Sequence, residues 1–299
     1  MISNRSRLHR PGWSRRAFTL VEVIVATAIF SIISVALLGF MSMSMKMVSR
    51  NLATNHSHNE ARLAASRLFN DLHGAASVFT LVNYDGSSNS DISTTISNPV
   101  VVDTLSGLTL SAQRANCVRF YKLVAGPCRM TSTPTATSTI LTFDVPVALD
   151  VNDRLSIPLI SDSFSITAVT PAFTGTQTAS KAITIDHAIT YNFKDSAANV
   201  TTGYFYRPVA YSVVGNQLRY HAKFQGSDQN TFTPIRNNIT SATPFSLLYL
   251  AGSALTTGRQ LRVSLETNDM QFNNLKFLGA ATTYQTVITL LNQDPPIKK

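Results

Sequence analysis

Charged residues are scarce in this chain. Asp, Glu, Lys and Arg make up 14% of its 299 residues, whereas about a quarter is usual in soluble domains. Serine, threonine and asparagine fill much of the gap. This balance is more typical of an exported, strand-rich protein than of a cytosolic enzyme.

Acidic residues are absent from the first seventeen positions, which carry five arginines. These are Arg5, Arg7, Arg10, Arg15 and Arg16. Much of the formal net charge of +9 therefore lies in this leader, because removing its five arginines from the 25 basic residues leaves 20 against 16 acidic ones. No basic stripe with interleaved aromatic residues follows, so the charge does not predict a nucleic-acid partner.

The common catalytic motifs are missing as well. The sequence has no glycine-rich phosphate loop, HExxH, CxxC or G-x-S-x-G. His56 and His58 are two residues apart, a spacing that does not place them on one helix face. The acidic stretch Asp150–Asp153 lacks the full ligand set of a calcium loop. We therefore expect no enzyme activity, no cofactor and no metal site.

Cysteine is nearly absent, with only Cys117 and Cys128. An even, low count fits one disulfide in an oxidising compartment. Ten residues separate the two, and Gly126 and Pro127 would help such a loop to return on itself. The sequence therefore predicts a Cys117–Cys128 disulfide, with two unpaired thiols as the alternative.

The sequence contains one long apolar run near its N-terminus. From Phe18 to Met45 the only ionisable side chain is Glu22. About 20 apolar residues are enough to cross a bilayer, so the run predicts a transmembrane helix. The arginines before it would hold the N-terminus in the cytoplasm and place the rest of the chain outside.

Two other kinds of targeting segment compete with this interpretation. A cleaved secretory signal would use Ser34–Ala36 as its cleavage site, but the apolar run is too long and continues past it. A twin-arginine signal is suggested by "SRRAF". A carboxylate inside the apolar region and the lack of a clear cleavage site after it argue against that signal.

Ala17 is followed by Phe18, Thr19, Leu20, Val21 and Glu22, and then by "VIVATAIFSIISVALLGFM". This order resembles the N-terminus of type IV prepilins and of the pseudopilins of type II secretion systems, in which a basic leader ends in a small residue. The family usually has glycine where this chain has Ala17.

The resemblance implies how the segment is processed and used. A prepilin peptidase would cleave between Ala17 and Phe18, and the new amino group of Phe18 would be methylated. Glu22 would then pair with the N-terminal ammonium of a neighbouring subunit, since a carboxylate in hydrocarbon is costly unless it is paired. The alternative is a glutamate that reaches to the membrane interface.

Beyond the membrane, the apolar spacing continues the helix to about Val78, and β-branched and aromatic runs separated by Ser, Thr, Asn and Pro follow it. Gly215 and Asn216 mark a hairpin turn. The fold class expected is α+β, a long N-terminal helix packed on an antiparallel sheet domain. The segments are a leader (1–17), a transmembrane helix (18–41), an amphipathic continuation (42–79) and an extracytoplasmic β-rich domain (80–299).

The order "NQLRYHAKF", "NITSATPFSLLYL", "QLRVSLET" and "YQTVITLLN" resembles the closing strands of J-class pseudopilins and W-type minor pilins. The resemblance implies a minor structural subunit of a pseudopilus or pilus, with prepilin peptidase, other pilin subunits and the inner membrane as partners. The bulk of a mature chain of 282 residues (299 minus the leader of 17) predicts a place near the tip. It would be a single-pass inner-membrane protein with a periplasmic C-terminal domain before assembly. The alternatives are an adhesin or binding module anchored by a pilin helix and, more remotely, an anchored enzyme.

Overall fold

A computed structural model describes most of the chain from Thr19 onward. The described residues are 19–77, 79–91, 101–102, 109–158, 160, 162–170, 179–190, 201–249, 257–258, 260–267, 271–272, 275–276 and 282–290. The chain divides into two compact units, Met1–Leu52 and Ala53–Lys299. One long helix is followed by antiparallel strands, so the predicted α+β class is confirmed.

The helix α1 spans Leu20–His73. In the first unit its apolar side chains are exposed along the whole run, as Phe30 and Phe40 are. From Ala53 onward one side of the helix is buried, and that side recurs every three or four residues. Its members are Ala53, Ser57, Ala61, Ala64, Ala65, Leu68 and Leu72.

The helix ends five residues before the end expected from the sequence. After His73, the amide of Ala76 donates to the carbonyl of Tyr121 at 2.7 Å, and Ala75 pairs with Lys122. The chain leaves the helix at Gly74 because its backbone begins to pair with a strand. The apolar residues Ala75 and Ala76 therefore stay buried without being helical.

The strands of the described residues follow in chain order. They are β1 (Phe79–Tyr84), β2 (Asn89–Asp91), β3 (Val101–Val102), β4 (Thr109–Ala115), β5 (Cys117–Arg129), β6 (Ile140–Val145), β7 (Arg154–Ser156), β8 (Ser163–Thr170), β9 (Ala179–Ile185), β10 (Thr202–Val214), β11 (Gln217–His221), β12 (Thr233–Arg236), β13 (Phe245–Tyr249), β14 (Thr257–Gly258), β15 (Gln260–Thr267), β16 (Gln271–Phe272), β17 (Leu275–Lys276) and β18 (Thr282–Thr289). A 3₁₀ helix, Gly226–Asn230, lies between β11 and β12.

These strands form two main antiparallel sheets. The larger has the order β14-β1-β5-β10-β7-β8-β9-β6, with β2 beside β1 and the β11–β12 pair beside β10. The smaller has the order β18-β15-β13-β4-β3, and β16 pairs with β17. The two main sheets meet where β4 runs through Asn116 into β5, so one continuous segment contributes to both.

The first core lies where both main sheets cover the buried side of α1. Leu68 and Leu72 are fully buried there, together with Phe120 from β5 and Leu261 from β15. Alternate residues of β15 point inward, as expected for a strand with one covered face. The sheets therefore remove from water the apolar stripe that α1 carries beyond Ala53.

A second core fills a barrel that the sequence did not predict. The strands β5, β10, β7, β8, β9 and β6 pair in that order, and Met130, the residue after β5, then pairs with Phe143 of β6. Phe143 and Phe205 meet edge to face inside it, with ring centroids 5.3 Å apart. The β domain thus contains a closed barrel beside the sheet that covers the helix.

The hairpin predicted at Gly215 and Asn216 is confirmed. Val214 pairs with Gln217 across the turn. Gly215 has a φ of 58° and Asn216 a φ of 62°, which is the left-handed pair that a type I′ turn requires. Glycine and asparagine are the residues that adopt this conformation most readily.

The prediction of a Cys117–Cys128 disulfide is wrong. Both cysteines are free and buried, and they lie at the two ends of the same strand, β5. Eleven steps of about 3.3 Å place their Cα atoms roughly 35 Å apart, whereas a disulfide needs about 4.4–6.8 Å. The intervening residues form an extended strand in place of the predicted loop, because β10 pairs along them.

Candidate functional site

The residues expected to be processed and to drive assembly lie around the start of α1. Ala17 and Phe18 lie outside the described residues. Glu22 is in the first helical turn and is exposed. The described part of the site is therefore the helix start from Thr19.

Thr19 and Glu22 bond to each other in both directions. The backbone amide and the hydroxyl of Thr19 donate to Oε2 of Glu22 at 2.9 and 3.1 Å. The amide of Glu22 donates in return to Oγ1 of Thr19 at 3.3 Å. This is a capping box, which satisfies amide donors that the first turn of a helix otherwise leaves without partners.

The sequence reasoning found Glu22 but missed Thr19. It treated the threonine only as part of an ordered motif. The signal was nevertheless present, since a threonine followed three residues later by a glutamate before an apolar run is the sequence pattern of a capping box. The capping box aligns the Glu22 carboxylate with the beginning of the helix.

The helix that begins at the capping box has the length and composition of a membrane-spanning helix. It is the one helix among the described residues that is long and apolar enough to cross a membrane, and an 18-residue window of it has a mean hydropathy of 2.6. Two of its hydroxyl groups bond within the helix: Thr27 donates to the carbonyl of Ile24 at 2.9 Å, and Ser31 donates to that of Thr27 at 2.8 Å. These two side chains therefore have hydrogen-bond partners that do not require water.

The acidic stretch Asp150–Asp153 has cations as partners. Arg207 binds Asp150 and Asp153, each at 2.7 Å, and Lys223 binds Asp150 at 2.8 Å. The hydrogen bond to Asp153 raises the pKa of Arg207. Within the described part of the chain, no three His, Cys, Asp or Glu side chains are grouped as a metal site.

The capping box uses one of the two carboxylate oxygens of Glu22 as its acceptor. Both hydrogen bonds from Thr19 end on Oε2 of Glu22, so the box leaves Oε1 for another donor. An ammonium group close to the first turn would bond to that oxygen. Such a contact would require no covalent chemistry.

Comparison with known protein families finds a match on this segment. Residues 14–38 match the family model of the prokaryotic N-terminal methylation motif. The match contains Ala17, Phe18, Thr19 and Glu22, and it indicates a type IV prepilin- or pseudopilin-type protein. No curated protein and no solved structure matches the chain.

Proposed function

We propose that this chain is a minor structural subunit of a type II secretion pseudopilus or a type IV pilus, and that it lies near the filament tip. The observation that carries the proposal is the methylation motif at residues 14–38, which includes the start of a helix that can cross a membrane. Structural subunits of this kind act by assembly and carry out no catalysis.

In this proposal the leader of residues 1–17 stays in the cytoplasm and prepilin peptidase cuts between Ala17 and Phe18. The helix anchors the mature chain in the inner membrane with its C-terminal domain in the periplasm, and the chain then enters the filament. Glu22 pairs with the methylated N-terminus of a neighbouring subunit. The capping box supports this role because it fixes the carboxylate at the start of the helix and leaves Oε1 for a further donor.

The size of the β domain supports a place near the tip. Loss of 17 of the 299 residues would leave 282, and the domain has a barrel core in addition to the core against the helix. Successive subunits of a helical filament are separated by a small axial rise, so neighbours restrict the room for each domain. A bulky subunit meets the fewest neighbours at the end of the filament.

Mass spectrometry of the membrane-bound chain tests the processing step. The expected N-terminal peptide begins at Phe18 and carries one added methyl group. An intact leader, or cleavage near Ala36, would contradict the proposal. Quantitative proteomics of sheared filaments tests whether the chain is a minor subunit near the tip. We expect far less than one copy of it per ten major subunits. Abundance close to that of the major subunit would exclude a minor role.

The barrel also favours a second candidate, an adhesin that uses the pilin helix as its anchor. Its core is separate from the one that covers α1, so it has a surface that is not needed to bury the helix. Incorporation distinguishes the two functions. A processed and methylated chain that is absent from sheared filaments would support the anchored binding module.

A further inference from the structure

An open groove of about 460 Å³ runs beside the exposed side of α1 within the second unit. Leu63, Ser66, Arg67 and Asn70 line it from the helix at positions i, i+3, i+4 and i+7, which form one helical face. Lys122 of β5 and Tyr220 of β11 line the opposite side. The groove is therefore formed by rigid elements.

The groove carries one positive charge in excess. Asp71, at its edge, accepts a hydrogen bond from Nζ of Lys122 at 3.1 Å on Oδ1 and one from the hydroxyl of Tyr211 at 2.5 Å on Oδ2. Burial raises the pKa of Tyr211, so its hydroxyl keeps the proton that it donates. Asp71 thus neutralises Lys122 and has both oxygens engaged.

Arg67 supplies the excess charge. Its guanidinium lies 5.8 Å from the centroid of the Tyr220 ring. Among the described residues no hydrogen bond or ion pair is found for Arg67 beside this ring contact, so its N–H donors are available to a ligand. A guanidinium presents these donors in a planar fork that matches a carboxylate.

The apolar wall of the groove limits what fits beside Arg67. Leu63 lies one turn before Arg67 and is 64% exposed. A ligand with a carboxylate next to an aliphatic side chain would fit this groove, because the carboxylate would bind the Arg67 guanidinium and the aliphatic side chain would pack on Leu63. The open groove admits a segment of chain from the side, whereas small-molecule sites usually enclose most of their ligand.

We propose that this groove docks an acidic segment of a partner subunit, with an Asp or Glu of that subunit bound to Arg67 and a neighbouring aliphatic side chain against Leu63. The proposal rests on the proposed function, because it names the surface through which the chain meets another subunit.

Photo-crosslinking in cells that express the full chain tests the docking. A photoreactive amino acid in place of Asn70 lies in the groove beside Arg67. The crosslinked peptide, identified by mass spectrometry, should come from another subunit and contain Asp or Glu. Arg67→Gln should lower the yield about two- to fivefold, the range for an exposed ion pair, and Arg67→Lys should retain most of it.

Arg62→Gln is the matched control. It removes the same charge from the same helix, but five residues of 100° place it about 140° from Arg67 around the axis. Equal yields in the Arg67→Gln and Arg62→Gln variants would overturn the proposal. A crosslinked peptide that lacks an acid, or that comes from a second copy of this chain, would also overturn it.

The most direct test reverses the charge at Arg67 and then restores the pair from the partner's side. Arg67→Glu should abolish the crosslink, and a lysine at the acid identified in the partner should restore it. If the chain enters filaments but position 70 crosslinks to nothing, the docking proposal fails while the proposed function stands. A crosslink to an acidic segment without incorporation into filaments would keep the docking and reject the filament role.

Discussion

Arg207 holds the buried carboxylate of Asp153 through two parallel hydrogen bonds, from Nε to Oδ1 at 2.8 Å and from Nη2 to Oδ2 at 2.7 Å. The Asp153 side chain is 2% exposed. The pair joins the turn before β7 to the middle of β10, 54 residues later. It therefore fixes one side of the barrel to the strand shared by both cores.

Arg207→Met should destabilise the β domain by about 3 kcal/mol, because it leaves Asp153 buried without its cation. Lys223→Met is the matched control. It removes a charge from the same network, but its pair with Asp150 is more exposed, so we expect less than about 1 kcal/mol. Urea unfolding of the full chain in detergent, followed by circular dichroism, measures both. Equal effects would show that burial of Asp153 does not set the strength of the pair.

The sequence was informative where structure depends on neighbours along the chain. The helix follows from a long run without proline, and the Gly215–Asn216 hairpin follows from two residues that accept positive φ. The barrel could not be predicted, because its closure depends on a pairing between Met130 and Phe143 that no local pattern encodes. The disulfide prediction failed for the same reason, since pairing with β10 keeps the segment between the cysteines extended.

The same difference between local and long-range features applies to the candidate site. Glu22 was found because a single carboxylate in an apolar run can be recognised from the neighbouring residues alone. Thr19 was missed although its signal is just as local. The partners of Arg67 and Asp153 could not be predicted, since Tyr220 and Arg207 reach them only through the sheet.

Buried His221 should make the fold sensitive to acid. Its Nε2 lies 2.8 Å from the hydroxyl of Ser212, and the rings of Tyr84 and Phe224 pack against it. Burial, with a smaller contribution from Arg219, lowers the pKa of His221 to about 4 from 6.5. The folded state therefore favours the neutral ring, and the unfolded chain binds the proton first as the pH falls.

The contribution of His221 is fully present above pH 6.5 and should be lost progressively between pH 6.5 and about 4. Its full size is about 3 kcal/mol by linkage. His221→Gln retains a side-chain partner for Ser212 but does not titrate, so its unfolding free energy should depend less on pH in this window. Profiles that stay parallel from pH 7 to 4 would contradict the prediction.

The two cysteines should be unreactive in the folded protein. Burial raises the pKa of both Cys117 and Cys128, and the thiolate is the form that reacts. Iodoacetamide should therefore label neither residue under native conditions and both after unfolding in denaturant without reductant. Failure to label the unfolded chain until a reductant is added would show that the cysteines are oxidised.

Glu22 has two separable roles in this account. Its side chain closes the capping box with Thr19, and its charge is proposed to meet the N-terminus of another subunit. Glutamine at this position can still accept the hydrogen bonds of the box, but it carries no charge. Alanine removes both the acceptor and the charge.

Glu22→Ala and Glu22→Gln should therefore both be cleaved and methylated normally, yet both should enter filaments at least about tenfold less than the native chain, a deficit of about 1.4 kcal/mol. The reason is that each lacks the carboxylate proposed to pair with a neighbour's ammonium in the membrane. Thr19→Val is the control, since it keeps the charge and removes the hydroxyl from the box. Quantitative proteomics of sheared filaments measures the ratio. Normal incorporation of Glu22→Gln together with failure of Glu22→Ala would assign the effect to the cap and reject the pairing role.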